Sequence, residues 1–339
     1  MDSSNQRIGF STGALAKGDF PRALQMLRTA GVSTVELSAL REHELPSLAH
    51  SLNDLDLTGF RHVSIHAPSK LESLSEVETV KLLSIAVERK LPVVVHPDTV
   101  RNPDCWRHFR DLMLIENLDK RKLCARTTSE LADILSVFPE AGLCFDVAHA
   151  RQVDPSMSEA TQMLCVFRSR LRQVHASGLS TDSTHRRLST AAGFAISRIS
   201  HLLPHDVPII LESPVEPESI QSEIEFAQNA FSPWLDRLRA DIDDIFDIKI
   251  PQLRRTQVVN FLKVLHSTNR RLSEFENVIT QLPTGGAFKP GDQLLSTQSL
   301  LARLSETQKE LLRDYLAERV HATAQEFPEI AEEFRFQFS

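Results

Sequence analysis

Histidine, aspartate and glutamate recur at one kind of place in this sequence, at the end of a short run of apolar residues. Asp146 follows the run GLCF, and His149 comes three residues later. Other runs end in the same residue types, at His66, His96, Glu116, His175 and Glu212. Imidazole and carboxylate ligands in such a mixture suit Zn²⁺, Mn²⁺ or Fe²⁺. This pattern predicts a divalent metal site.

Acids at the edge of an apolar core are costly unless a positive charge compensates them. A carboxylate that leaves water loses several kcal/mol of hydration, and converging carboxylates raise one another's pKa. Lysine and arginine are absent from these run ends. Bound cations would therefore offset the repulsion among the carboxylates of Glu116, Asp146 and Glu212.

Eight apolar runs alternate with amphipathic helical patterns, and they are the elements that must position these residues. Eight strands joined by helices indicate parallel pairing and a closed (β/α)8 TIM barrel, which we assign to residues 1–232. An open doubly wound sheet is the competing fold, but no GxGxxG follows the first run. The runs span residues 7–13, 33–39, 62–68, 92–98, 112–117, 142–150, 172–178 and 207–213.

In a barrel, the carboxyl ends of all strands open onto one face, so we expect the run-end residues to converge there. His185 lies in the loop after the seventh run, with Asp182 nearby. Glu36 closes the second run, but it is assigned no chemistry because it could simply pair with a helix N-terminus.

The alternation of apolar runs with helical patterns ends near residue 233. Residues 233–339 contain amphipathic helical patterns and no further strand-like runs of this kind, which predicts an all-helical C-terminal domain. Its role is open: self-association, a lid or a protein partner would all suit amphipathic helices.

Composition narrows the class of protein. The formal net charge of −7 argues against a duplex-DNA surface, and no apolar window is long enough to span a membrane. The first residues lack the features of a signal peptide, and the four cysteines are scattered. We therefore expect a cytoplasmic protein with reduced thiols and no membrane contact.

The motifs SIHAPS, VVVHPD, LIENLD, FDVAHA, QVHASG, THRRL and IILES, taken in this order, resemble the xylose isomerase-like TIM barrels. That superfamily includes sugar-phosphate isomerases and epimerases, type-IV apurinic endonucleases and iron-dependent peptide-modifying oxidases. The resemblance covers residues 7–231 and implies a barrel with a metal site at its carboxyl face.

The branches of this superfamily imply different metal sites. In the isomerase branch, one ion is held by the residues that match Glu116, Asp146, His175 and Glu212, and the two glutamates move protons. In the endonuclease branch, the same four hold one of three zinc ions. A second ion takes the matches of His66, His96 and Glu116, and a third takes those of His149 and His185 with an aspartate.

The sequence carries the additional histidines, which favours two or three divalent ions (Zn, Mn or Fe) with one as the minimum. It departs from the endonuclease pattern at Ser183, where an aspartate is expected, and Asp182 is the remaining candidate. For a substrate anion, the rim offers Arg151, Arg186 and Arg187, and Asn117 is a further substrate-binding candidate.

Three functions follow from this reasoning. The first is metal-assisted hydrolysis of a phosphoester in a small phosphorylated or sugar-like substrate. The second is a one-ion sugar or sugar-phosphate isomerase or epimerase with Glu116 and Glu212 as the acid–base pair. The third is a binding module that acts through residues 233–339.

Overall fold

Eight parallel strands close into a barrel in this protein. A computed structural model describes residues 7–204 and 206–231 of the chain. The barrel strands are β1 Ile8–Ser11, β2 Thr34–Ser38, β3 His62–His66, β4 Val93–Val95, β5 Met113–Glu116, β6 Gly142–Asp146, β7 Leu171–Ala176 and β10 Ile209–Leu211. Two further strands, β8 Gly178–Leu179 and β9 His185–Arg186, form a separate antiparallel hairpin. Around the barrel, the strands follow the order β1-β10-β7-β6-β5-β4-β3-β2. The predicted (β/α)8 barrel is confirmed.

Helices connect the strands, as parallel pairing requires. Side chains cap several of them: Asp19 accepts the Arg22 N–H before the helix that begins at Phe20, and Ser75 and Glu78 form a capping box before the helix that begins at Glu76. The helices are α1 Thr12–Ala16, α2 Phe20–Thr29, α3 Leu45–Ser51, α4 Glu76–Glu88, α5 Pro103–Trp106, α6 Thr128–Val137, α7 Val147–Val153, α8 Ser158–Phe167, α9 Thr190–Ile199 and α10 Ile220–Ala230. Within the described residues, none of them combines the length and apolar character of a membrane span.

The strands are covered on both faces, which explains their continuous apolar runs. Every residue of β2, β5 and β6 is buried. Val94, Leu114 and Cys144 form an apolar cluster. Because side chains alternate along a strand, Glu116 lies on the same face of β5 as Leu114, two residues nearer the carboxyl end. The apolar cluster therefore supports the polar residues from below.

Closure between β1 and β2 depends on Gly9. A Cβ atom at this position would lie 1.7 Å from the carbonyl oxygen of Thr34, so only glycine lets the two backbones approach so closely.

The predicted helical domain at residues 233–339 lies outside the described residues, and so does its boundary at 232. That division of the chain stays a prediction.

Candidate metal centre

The run-end residues meet in a bowl at the carboxyl end of the barrel. His66, Glu116 and Asp146 are the last residues of β3, β5 and β6, and His175 is the next-to-last residue of β7. His96 and Glu212 directly follow β4 and β10, and His149 lies one turn into α7 rather than at a strand end. Apart from His185, which lies on the β8–β9 hairpin, all of them are buried. The bowl therefore draws on six of the eight barrel strands or their immediate ends.

Glu116 occupies the middle of the bowl. Its Oε2 lies 3.1 Å from Nε2 of His66 and 3.1 Å from Nε2 of His96. Its Oε1 lies 3.4 Å from Nδ1 of His149 and 3.4 Å from Nδ1 of His175. One carboxylate thus faces two separate pairs of imidazoles, with one oxygen toward each pair.

Two groups of side chains that could each hold one ion share this carboxylate. The first contains His66, His96 and Glu116, and its ligand atoms lie within 4.8 Å of one another. The second meets the same limit and contains Glu116, Asp146, His175 and Glu212. A third group within that limit, Glu36 with His66, His175 and Glu212, overlaps the other two. The first two groups thus share Glu116.

Unsatisfied atoms in the second group fit a cation. Oδ2 of Asp146, Nδ1 of His175 and Oε2 of Glu212 are buried and have no hydrogen-bond partner. A buried polar group without a partner costs about 1–3 kcal/mol, and most such groups in proteins are satisfied. All three atoms belong to groups that bind divalent ions, so a cation among them would satisfy all three at once.

The pKa values of the histidines show that the bowl attracts positive charge. Burial lowers the pKa of His66, but the hydrogen bond to Glu116 and the charges of Glu36 and Glu116 outweigh it and raise the pKa to about 9. For His149, burial is likewise outweighed by Asp146 and Glu116, and the pKa rises to about 10. Burial keeps the pKa of His96 below its ordinary value. Protonated imidazoles thus take the place of cations in the metal-free protein.

The carboxylates respond to burial in different ways. Burial raises the pKa of Asp146 to about 6, although His149 opposes the shift. Burial acts in the same direction on Glu116, but His96 and His175 hold its pKa well below the ordinary value. Glu116 therefore stays ionised and available as a bridging ligand.

Asp146 is fixed by bonds on both sides. Its Oδ1 accepts the backbone N–H of His149 at 2.6 Å, which caps α7. Asn117 accepts the Asp146 N–H at 2.8 Å and donates to the Asp146 carbonyl oxygen at 2.9 Å. Both ends of the Asn117 amide are therefore engaged, and the structure gives this residue a supporting contact instead of a free group for substrate.

His149 and His185 lie at the mouth of the bowl. Nδ1 of His149 is 3.0 Å from the Asn117 carbonyl oxygen, and Nδ1 of His185 is 2.9 Å from Oγ of Ser177. His185 Nδ1 also lies 3.6 Å from Oε2 of Glu212. Within the part of the chain that the structure describes, the groups close enough to share one ion include neither histidine.

The two residues that could complete a third ion site, Asp182 and Ser183, have other partners. Asp182 is exposed, and its carboxylate accepts hydrogen bonds from Ser180 and Thr184. Ser183, at the position where the endonuclease pattern has an aspartate, is buried and donates to Gln152 at 2.7 Å. Asp182 and Ser183 are therefore engaged outside the two groups described above.

The three arginines of the rim differ in their surroundings. Arg187 is bound to Glu223 at 3.1 Å and to Ser222 at 3.3 Å, so α10 engages its guanidinium. Arg186 is exposed and Arg151 is half-buried, and burial lowers the pKa of Arg151. Among the described residues, no hydrogen bond or ion pair engages the Arg151 guanidinium. Arg151 and Arg186 remain the candidates for a substrate anion.

Two buried residues directly beneath the bowl were missed by sequence reasoning. Glu36 does not pair with a helix N-terminus: its Oε2 lies 3.0 Å from Nε2 of His175 and accepts a hydrogen bond from Gln173 at 2.7 Å. Both Glu36 and Gln173 are fully buried. The sequence did offer a signal for Glu36, because this acid lies inside the strand VELS. The alternation of side chains along the strand directs it into the barrel.

Several solved structures are similar to this chain, whereas no family model and no curated protein sequence matches it. Similar solved structures include endonuclease IV from Thermus thermophilus, at 18% identity over 66% of this chain and 98% of that chain, with a TM-score of 0.46. The probable 3-DHS dehydratase AsbF from Bacillus anthracis has 12% identity over 66% and 98%, with a TM-score of 0.46, and SacUVDE has 14% over 60% and 83%, with a TM-score of 0.43.

The resemblance to xylose isomerase-like barrels stays an expectation drawn from the sequence motifs. At these identities the likeness says nothing of the reaction, and the barrel's own closed strand order establishes the architecture. The chemistry of the barrel must be argued from the bowl itself.

Proposed function

We propose that this barrel is a metal-dependent enzyme in which two divalent ions share Glu116 and a phosphoester is hydrolysed. The position of Glu116 carries the proposal. Its two carboxylate oxygens face different ligand groups, as a bridging carboxylate must, and an enzyme with a single ion has no need of the group formed by His66 and His96.

The ligands divide between the two proposed ions. His66 and His96 would hold the first, while Asp146, His175 and Glu212 would hold the second, with Glu116 common to both. Zn²⁺, Mn²⁺ and Fe²⁺ all suit this donor set. Divalent ions so placed would supply positive charge for the phosphate oxygens and lower the pKa of the attacking water.

Groups at the mouth of the bowl would bind and orient the substrate. His149 and His185 lie next to the second group and would donate hydrogen bonds to the phosphate oxygens, or complete a third site when substrate contributes ligands. Arg151 and Arg186 would attract the anion to the rim. We propose a small phosphorylated substrate, because the net charge of −7 disfavours a long polyanion.

A second candidate is a one-ion isomerase or epimerase. It is supported by the second group, whose four side chains could hold an ion without the first group. Glu116 and Glu212 would then act as the acid–base pair, as the resemblance implies. The engagement of both Glu116 oxygens with imidazoles counts against this role, because a proton-transferring carboxylate needs one oxygen directed at substrate.

Metal content separates the two candidates. Elemental analysis of the purified protein should give two ions per chain, and His96→Ala should reduce this to one. His50→Ala is the matched control, because His50 is exposed on α3, outside the bowl. A single ion that survives His96→Ala unchanged would favour the isomerase.

Activity assays complete the test. Hydrolysis of a phosphomonoester or phosphodiester panel should need both ions and fall at least tenfold in His96→Ala, and a duplex-DNA arm tests the proposal of a small substrate. An isomerase would instead incorporate solvent deuterium into a ketose or aldose and would tolerate the loss of His96. If the Glu212→Gln variant still replaces the unaltered protein in the cell, the protein would act as a binding module through residues 233–339 rather than as an enzyme.

A further inference from the structure

Below the bowl, the barrel interior holds a buried carboxylate that the resemblance assigns to no ion. Glu36, on β2, is fully buried. Three polar atoms meet its Oε2: Nε2 of Gln173 at 2.7 Å, Nε2 of His175 at 3.0 Å and Oγ of Ser64 at 3.4 Å. A carboxylate in this setting is fixed in one orientation, because its partners come from strands on both sides of the barrel interior.

The contact with Glu36 defines the two sides of the His175 ring. Nε2 faces Glu36 and also lies 2.9 Å from Nε2 of Gln173, while Nδ1 faces the bowl, 3.4 Å from Oε1 of Glu116 and 3.7 Å from Oε2 of Glu212. A neutral imidazole has one N–H donor and one lone-pair acceptor. If Nε2–H is donated to Glu36, the Nδ1 lone pair is left for a cation, and Nδ1 is the atom that lacks a hydrogen-bond partner.

Further polar contacts hold Glu36 from beneath. Gln173 is fully buried, and its Oε1 lies 2.8 Å from Nε2 of His62, at the first residue of β3. A column of side chains thus runs from His175 through Glu36 and Gln173 to His62, in a region that barrels usually fill with branched apolar residues. Buried polar groups are retained without large cost only when they are bonded to each other.

We propose that Glu36 is a positioning residue for the metal centre, which fixes the tautomer and ring orientation of His175 so that Nδ1 binds the second ion. The proposal rests on the metal-binding role of His175 proposed above. A carboxylate that accepts the second N–H of a metal-bound histidine orients the ring and makes it a stronger ligand. Direct binding of an ion by Glu36 is the competing explanation, since its Oε1 is also buried without a partner.

The first experiment measures metal affinity by chelator competition. Glu36→Gln keeps the shape of the side chain but removes its charge. It should lower the affinity for the second ion by about 10- to 100-fold, while the affinity for the first ion stays unchanged. Glu44→Gln is the matched control, because Glu44 is a buried carboxylate bonded to Arg41 outside the bowl. Equal affinities for Glu36→Gln and the unaltered protein would overturn the proposal and leave the metal centre standing.

A second arm separates positioning from direct binding. If Glu36 acts through His175, Glu36→Gln should add no further loss of affinity in a His175→Asn background. A full further loss would instead identify Glu36 as a ligand in its own right and overturn the positioning role. Absence of any bound metal in the unaltered protein would remove both this proposal and the proposed function.

A third readout needs no Glu36 variant. In the zinc-loaded protein labelled with ¹⁵N-histidine, the His175 ring can be assigned from the signals lost in His175→Asn. Its proton should reside on Nε2 and its metal bond on Nδ1. A proton on Nδ1 would refute the inference even if Glu36→Gln fails to fold.

Discussion

Removal of metal should make the stability of this protein fall as the pH rises above neutrality. In the metal-free bowl, the pKa of His66 is raised to about 9 and that of His149 to about 10, both from an ordinary value of 6.5. The pKa of His175 is also raised, because nearby acids outweigh burial. Each of these imidazoles holds a proton in the folded state that it releases on unfolding above pH 6.5.

The sign and size of the effect follow from proton linkage. A group whose pKa is raised by folding contributes stability that is fully present below its unfolded pKa and is lost as the pH rises through its folded pKa. The free energy of unfolding should therefore fall between pH 6.5 and about 9, by about 1.4 kcal/mol per pH unit for each such imidazole. For His66 alone this amounts to about 3 kcal/mol, and contributions from groups that share Glu116 add less than fully.

The titrations of Asp146 and Glu116 do not obscure the expected loss of stability between pH 6.5 and about 9. The pKa of Asp146 is raised to about 6, so the effect of its titration on stability is nearly complete below this range. Glu116 stays ionised throughout because His96 and His175 hold its pKa well below the ordinary value. In the metal-loaded protein His66 and His175 are deprotonated ligands, so their contribution to the pH dependence is lost and the stability should fall much less steeply between about pH 7.5 and 9.5.

The assay is urea unfolding of the full chain at a series of pH values, with chelator or with saturating zinc. Fluorescence of Trp106, which is fully buried, reports on the barrel once Trp234→Phe has removed the other tryptophan. In the metal-free protein, His66→Asn should make the free energy of unfolding fall less steeply with pH, whereas the exposed control His50→Asn should leave this slope unchanged. A metal-free stability that is flat or rises between about pH 7 and 9 would refute the reasoning.

Three further predictions test the bridge, the protons and the packing. Glu116→Gln should lose both ions in elemental analysis, whereas Asp146→Asn should lose only one; equal losses would contradict the bridging role. Zinc binding at about pH 7 should release protons, so that the calorimetric enthalpy varies with the ionisation enthalpy of the buffer, and a buffer-independent enthalpy would argue against protonated imidazoles. Gly9→Ala should destabilise the barrel by about 3 kcal/mol or more in urea unfolding, because its Cβ would overlap the Thr34 carbonyl oxygen, whereas Gly18→Ala, whose nearest neighbour is 3.4 Å away, should be nearly neutral.

Sequence periodicity was sufficient for the barrel and for the run-end residues of the bowl, but not for Glu36 and Gln173. Continuous apolar runs separated by helices require parallel strands covered on both faces, and eight of them close. Because parallel strands end on one face, His66, Glu116 and Glu212 could be placed together from their run-end positions alone. Residue type and position along a strand are local properties, and a sequence states them directly.

Only the tertiary structure decided which atoms face one another. Glu36 and Gln173 are 137 residues apart, and their contact depends on strand order and register around the closed barrel. The division of the Glu116 oxygens between two imidazole pairs, the bond of Arg187 to Glu223 and the engagement of Asn117 by Asp146 depend on the same long-range geometry. Small differences in distance between distant segments determine these partners, and no local pattern in the sequence specifies them.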